Sequence, residues 1–168
     1  MRRVGFSTRL GAALLDMVIV LVAGALLGFL LGGTLGGLLG GVAGQGLGAI
    51  MGAMLGGAMG AAAMVSLVST VYGLIEGFVG QSPGKMILGI IIREQDGSPA
   101  ARTTLLARYA VKNASTLLSL LAGITGSKLL ESASGIAGVI VFLGCFLVLG
   151  ASRLALHDMI AKTAVYPK

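Results

Sequence analysis

MVIVLVAGALLGFLLGGTLGGLLGGVAGQGLGAIMGAMLGGAMGAAAMVSLVSTVYGLI, residues Met17 to Ile75, carries no charged side chain across 59 positions. A helix that crosses a membrane needs about 20 apolar residues, each rising 1.5 Å. The stretch therefore holds two spans and a reversal. Three spans would leave no residues for loops. The middle part, with Thr34 and Gln45, is the most polar and glycine-rich, so the reversal falls there. The two spans are read as about 11–32 and 49–75.

The composition agrees. Of 168 residues, 56% are hydrophobic, 29 are glycine and only 11% are charged; mean hydropathy is +1.00. Soluble domains carry about 25% charged residues, and so few charges cannot cover the surface of a soluble fold. Disordered chains are poor in apolar residues, which excludes disorder. The glycines do not recur at every third position and prolines number 3, which excludes collagen. The class is an integral membrane protein, and the partner this implies is the lipid bilayer.

Two further uncharged runs follow, Asn113–Ser127 and Ser132–Ser152. The second is long enough to span. The first reaches span length if extended back through Tyr109, Ala110 and Val111, with Lys112 snorkelling to the interface. Spans three and four are read as about 109–127 and 132–152, and a three-span chain is the alternative. The expected fold is all-α: a four-helix transmembrane bundle with a short cytoplasmic loop or β-hairpin between spans two and three, in a single domain covering 1–168. Four spans put eleven of the twelve cations on one side and leave Lys128 alone on the other. Cations gather on the cytoplasmic side, so both termini are expected in the cytoplasm. The net charge of +6 is thus read as topology. Nucleic acid is not an expected partner, because no basic stripe is interleaved with aromatics. Met1-Arg2-Arg3 before an apolar stretch also suits a signal peptide, but Asp16 interrupts it and the stretch continues too far. A retained first span is expected.

Glycine recurs every fourth residue at 24, 28, 32, 36, 40, 44, 48, 52, 56 and 60. Residues four apart share a helix face, and a row of glycines makes a groove that another backbone can enter. The helix-packing residues are Gly28, Gly32, Gly36, Gly40, Gly44, Gly48, Gly52, Gly56 and Gly60. Spans one and two can fill each other's groove as a tight hairpin. The alternative is a self-associating glycine zipper that builds a homo-oligomer or pore.

Asp16 and Glu76 are the acidic residues at or inside these spans. A carboxylate in the bilayer core costs roughly 2.5–3.5 kcal/mol and seeks a partner or a proton. Arg9 and Asp16 share a helix face but lie about 10 Å apart along the axis, so a third group between them is expected. The loop from Gly80 to Lys112 is the one sizeable polar segment, with a turn at Gln81-Ser82-Pro83-Gly84-Lys85 and a hairpin signal at Asp96-Gly97. Gly84-Lys85 is not a phosphate loop, because Val79 stands where glycine is needed and Met86 where serine or threonine is needed. No Gly-x-Ser-x-Gly elbow is present, and one His and one Cys leave no basis for a zinc cluster. No enzyme activity, catalytic residue, metal or cofactor is expected.

Three segments together resemble the RDD family of small bacterial membrane proteins. Gly5 to Asp16 matches its opening Arg and Asp. Gly80-Gln81-Ser82-Pro83-Gly84-Lys85-Met86-Ile87-Leu88-Gly89 is similar to its Gly-x-(Ser/Thr)-Pro-Gly-Lys-x-x-x-Gly segment, followed by Asp96-Gly97 and Arg108. Leu156-His157-Asp158 to Val165 matches its closing His-Asp…Thr-x-Val. The resemblance implies Arg9, Asp16 and Asp158 as the named residues, read here as a polar, ion-pairing site to which Glu76, Lys85 and His157 are expected to contribute. It also implies a bacterial cytoplasmic (inner) membrane location and a link to transport. The glycine ladder lies outside the family pattern. Two functions follow: small-solute or cation/proton transport through the polar site, or a non-catalytic membrane scaffold or assembly factor whose polar residues lock the fold.

Overall fold

The computed structural model describes residues 2–168, with Gln45 described by its backbone alone. Helix runs from Phe6 to Val79 in two limbs, α1 (Phe6–Gly44) and α2 (Gly46–Val79). The remaining elements are α3 (Pro83–Ile87), β1 (Ile90–Glu94), α4 (Arg102–Lys112), α5 (Ala114–Thr125), α6 (Lys128–Cys145) with a 3-10 turn at Phe146–Leu149, α7 (Leu156–Ile160) and β2 (Thr163–Pro167). Contacts divide the chain into two units, Leu14–Gly73 and the rest.

The first unit is the glycine hairpin. Gly28 faces Gly60, Gly32 faces Gly56, Gly36 faces Gly52 and Gly40 faces Gly48. The two numbers in each pair add to 88, so the limbs run antiparallel about a reversal at Gly44. A methyl group on any of the four α1 glycines would overlap a carbonyl oxygen of α2. Small residues are needed here because backbone packs on backbone. One rung further out, a Cβ on Gly24 would lie 2.6 Å from the Cα of Val65. The outward surface is Leu, Val, Ile and Met, as in Leu26, Leu38, Leu47 and Met59, which suits contact with lipid tails. The reversal falls in the expected glycine-rich segment. Residues 33–48 are largely helical, because glycines that pack across the hairpin hold both limbs together to its tip. The limbs are therefore longer than the expected spans 11–32 and 49–75.

The second unit collects both chain ends and everything after Gly73. β1 pairs antiparallel with β2, with Ile90 opposite Pro167, Ile92 opposite Val165 and Glu94 opposite Thr163. Val4 donates to the Val165 carbonyl at 2.9 Å and Ile92 to the Gly80 carbonyl at 3.0 Å. Val4, Ala12, Ile90, Ile92, Leu105 and Val165 form the apolar core beneath this sheet. Gly80 ends α2 at φ 73, a left-handed cap that turns the chain toward α3. The expected hairpin at Asp96-Gly97 is a minor feature: Arg93 bridges Pro99, and Ser98 donates to Asp96 Oδ1 at 2.8 Å. The main partner of β1 is the C-terminal strand, which is buried from Thr163 to Tyr166.

Among the described residues three helices are long and apolar enough to cross a membrane: Phe6–Gly44, Gly46–Val79 and Lys128–Leu149. The expected third span, 109–127, breaks at Asn113, whose N–H returns to the Tyr109 carbonyl. Its apolar part, Ala114–Thr125, has 12 residues, about 18 Å at 1.5 Å each. That is short of a hydrocarbon core about 30 Å thick. The helix packs on α6, with the Ser134 hydroxyl donating to the Ser115 carbonyl at 2.9 Å.

Replacing Gly36 with Ala should cost about 1–3 kcal/mol, because the added carbon meets a carbonyl that can move only if the limbs separate. Gly44 has nothing within 4 Å of an added Cβ, so Gly44→Ala should leave stability unchanged or raised. Thermal unfolding of the two variants in detergent checks the contrast; equal stability would argue against the backbone-to-backbone register.

Candidate functional site

Six side chains from five helices of the second unit converge. Arg9 comes from the second turn of α1 and Glu76 from the last turn of α2. Lys85 comes from α3, Arg108 and Lys112 from α4, and Asp158 from α7. Arg108 and Lys112 are four apart and so share a face of α4. Asp158 lies in the first turn of α7, where its Oδ2 also accepts from the Ala155 N–H at 3.2 Å. This is the N-terminal end of the helix, where a carboxylate meets unpaired backbone donors.

Arg108 is the hub. It pairs with Glu76 Oε1, its Nε lies 2.8 Å from Asp158 Oδ1, and a terminal nitrogen lies 3.1 Å from His157 Nε2. Lys85 Nζ is 2.5 Å from Glu76 Oε2, and Lys112 lies 3.3 Å from both oxygens of Glu76. Arg9 pairs with Asp158 Oδ2 and donates to the Arg153 carbonyl at 2.8 Å. Glu76, Lys85, Arg108, His157 and Asp158 are all buried. Four cations thus enclose two carboxylates.

The surroundings set the protonation states. Burial alone would push the Asp158 carboxyl up, but the Arg108 and Arg9 guanidinium groups outweigh it and hold the carboxyl well below the usual range. Burial opposes the Arg108 charge as well; Glu76 and Asp158 overcome that and raise its pKa. Burial lowers Lys85 to about 7, with Glu76 opposing and the neighbouring cations assisting. Burial and then Arg108 lower His157 to about 3, so the ring is neutral at pH 7. Its Nε2 faces the Arg108 donor and its Nδ1 has no partner among the described residues.

Of the residues singled out in the sequence, Arg9, Glu76, Lys85, His157 and Asp158 come together here. The second carboxylate of the cluster is Glu76, where Asp16 was expected. Asp16 lies in the hairpin unit, and the Tyr72 hydroxyl donates to its Oδ1 at 2.6 Å. Arg108 and Lys112 were not foreseen as site residues. Their spacing of four in a polar helix was the available signal. Lys112, expected to snorkel, reaches back to Glu76. Among the described residues no cluster of three His, Cys, Asp or Glu side chains could hold a metal ion.

Long apolar helices, together with a buried cluster of ion pairs, define a helical membrane protein. The model of the RDD family matches residues 3–162. The chain therefore belongs to the RDD family, a family of membrane proteins. No curated protein and no solved structure matches it.

Removing Arg108 should be the most damaging single change in the cluster. Arg108→Gln takes a buried cation from both carboxylates at once and should cost about 3–5 kcal/mol, whereas Arg9→Gln takes one from Asp158 alone and should cost less. Thermal unfolding of both variants in one detergent ranks them; a milder Arg108→Gln would contradict the hub.

Acid should also weaken the fold. His157 has a folded pKa of about 3 against an ordinary 6.5, so the unfolded chain takes up a proton between these values and the folded chain does not. Its contribution is complete above about pH 6.5 and declines toward pH 3. Asp158 adds to the loss below its ordinary 3.8. His157→Gln keeps an acceptor for Arg108 and removes the titration, so its stability should be flatter between pH 6.5 and 4. An unchanged slope would assign the loss elsewhere.

Proposed function

We propose that the chain is a four-pass protein of the bacterial inner membrane, with both termini cytoplasmic, that serves as a non-catalytic membrane scaffold. On this reading the charged cluster is a lock that fastens the chain ends to the α2–α4 region. The observation that carries it is the state of Asp158. Both of its oxygens are engaged, by Arg9, Arg108 and the Ala155 N–H. A proton or cation carrier needs a carboxylate that can let go of its partners and titrate; Asp158 is held ionised far below neutral pH.

The four-pass topology is supported within the second unit. Arg3 donates to the Ser152 carbonyl at 3.0 Å and Arg9 pairs with Asp158. The segment before α1 and the segment after α6 therefore share one membrane face. Arg108 belongs to that face too. α6 starts at Lys128 and must begin on the other side, so residues 109–127 carry the return passage. That passage is made in two pieces, the last turn of α4 to Lys112 and the 12-residue α5, joined at Asn113. Eleven of twelve cations then face the cytoplasm.

Transport is the second reading, and Lys85 is the observation that favours it. Burial brings this lysine to about 7 beside Glu76, so the pair can exchange a proton near neutral pH.

Two measurements test these readings. Reporter fusions at Gly97 and Lys168 should read inside and at Lys128 outside; an outside signal at Lys168 would sink the four-pass topology. In proteoliposomes with an internal pH dye, an imposed sodium or potassium gradient should move no more protons than in empty vesicles. Ion-driven flux that Glu76→Gln abolishes would replace the scaffold reading with transport.

A further inference from the structure

Outside the lock, a polar cavity of about 540 Å³ opens in the second unit, its lining including Arg2, Arg3, Arg153, Gln95, Asp96 and Tyr166. Three cations and one carboxylate line it, and that carboxylate is taken up by the N–H and hydroxyl of Ser98. The guanidinium groups are held differently from those of the lock. Arg3 donates to the carbonyls of Ser152 and Gln95, at 3.0 and 3.3 Å. Arg153 donates to the Arg3 carbonyl at 2.9 Å. Among the described residues none of the three arginines meets a carboxylate, in contrast to Arg9 and Arg108. Neutral carbonyls fix the position of Arg3 and Arg153 and leave their charge uncompensated. Like charges gathered in one cavity repel, and a bound anion relieves that repulsion.

One feature points to what the anion is, and a second shows that the cavity's Arg153 is held in place. The first is height. Arg3 lies three residues before the first apolar helix begins at Phe6, and Arg153 four residues after the last one ends at Leu149. The hydrogen bonds between Arg3 and the 152–153 segment put both at the same level. The headgroup layer on each side of a bilayer is about 5–8 Å deep, so this level is that of lipid phosphates. The second is backbone strain. Arg153 has φ 51, a left-handed conformation that non-glycine residues rarely adopt and that persists only where surroundings enforce it. That conformation accompanies the return of its guanidinium to the Arg3 carbonyl at the cavity.

We infer that this cavity binds the phosphate of an anionic phospholipid headgroup, with Arg2, Arg3 and Arg153 as its donors. Guanidinium donors match phosphate oxygens in geometry. Basic pockets at helix ends are suited to acidic headgroups. A lipid held there is continuous with the tails that cover the apolar helices, whereas free phosphate would have to compete from solution.

The test is native mass spectrometry of the full-length protein in detergent, with phosphatidylglycerol or phosphatidylcholine added, beside thermal shifts with inorganic phosphate. The wild type should bind phosphatidylglycerol at least about ten-fold more tightly than phosphatidylcholine, a difference of about 1.4 kcal/mol. Arg3→Gln with Arg153→Gln should abolish that preference. Arg2 is exposed and makes no hydrogen bond or ion pair among the described residues, so Arg2→Gln should weaken the preference several-fold with stability unchanged. Arg102→Gln, away from the cavity, should leave it intact. Equal binding of the two lipids would overturn the inference, as would full preference in Arg2→Gln; the latter decides the matter even if the double variant fails to fold. Stabilisation by inorganic phosphate that matches phosphatidylglycerol and displaces it would overturn the lipid as the source.

Discussion

Two carboxylates buried side by side need a cation that can face both at once. Arg108 fills that place. Its planar guanidinium carries five donors in a fixed fork, which reach Glu76, Asp158 and His157 together. Desolvating these charges is costly, and their mutual attraction offsets the cost only where hydrogen bonds satisfy the remaining lone pairs. The second unit is arranged to meet that condition. Glu76 must sit at the end of α2, Asp158 at the start of α7, and α4 must pass between them. The β1–β2 pairing and the Val4 contact with Val165 then bring the two chain ends to the same place.

The hairpin obeys a different rule. It has few polar groups to direct its packing, and lipid offers no hydrophobic drive for two helices to associate. Close backbone approach supplies the contact energy, and that requires glycine at each rung. The four pairs from Gly28–Gly60 to Gly40–Gly48 keep a constant register, so the ladder specifies which residue meets which. In the hairpin the sequence encodes register by what is missing from the side chains. In the lock it encodes register by charge.

The membrane class, the two long apolar helices and the helical hairpin were legible from the uncharged run and from the glycine period, since both are local signals. Arg9, Glu76, Lys85, His157 and Asp158 were legible as polar residues in unlikely surroundings or through family resemblance. What escaped was pairing across long sequence separations. Thr163–Pro167 is too short a strand to announce itself, and its partner lies more than 65 residues away in the chain. Arg108 reads as one more cation of a polar loop until α4 is folded against α2 and α7. The Tyr72 hydroxyl that meets Asp16 from 56 residues away leaves no charge pattern in the sequence. The length of the limbs was misjudged for a related reason: glycine is a poor helix former in water, and here its close packing across the hairpin outweighs its propensity.

The lock is a claim about coupling, and a double-mutant cycle reads coupling directly. Thermal unfolding in a single detergent at pH 7 would be measured for the wild type, Arg108→Gln, Glu76→Gln and the double variant. With Arg108 as the shared cation, neutralising Glu76 removes part of what Arg108 is needed for. The double variant should then be less destabilised than the two single changes added together, by at least about 1 kcal/mol. Strict additivity would mean that the two side chains act independently, and the charged cluster would not be the element that holds this end of the fold together.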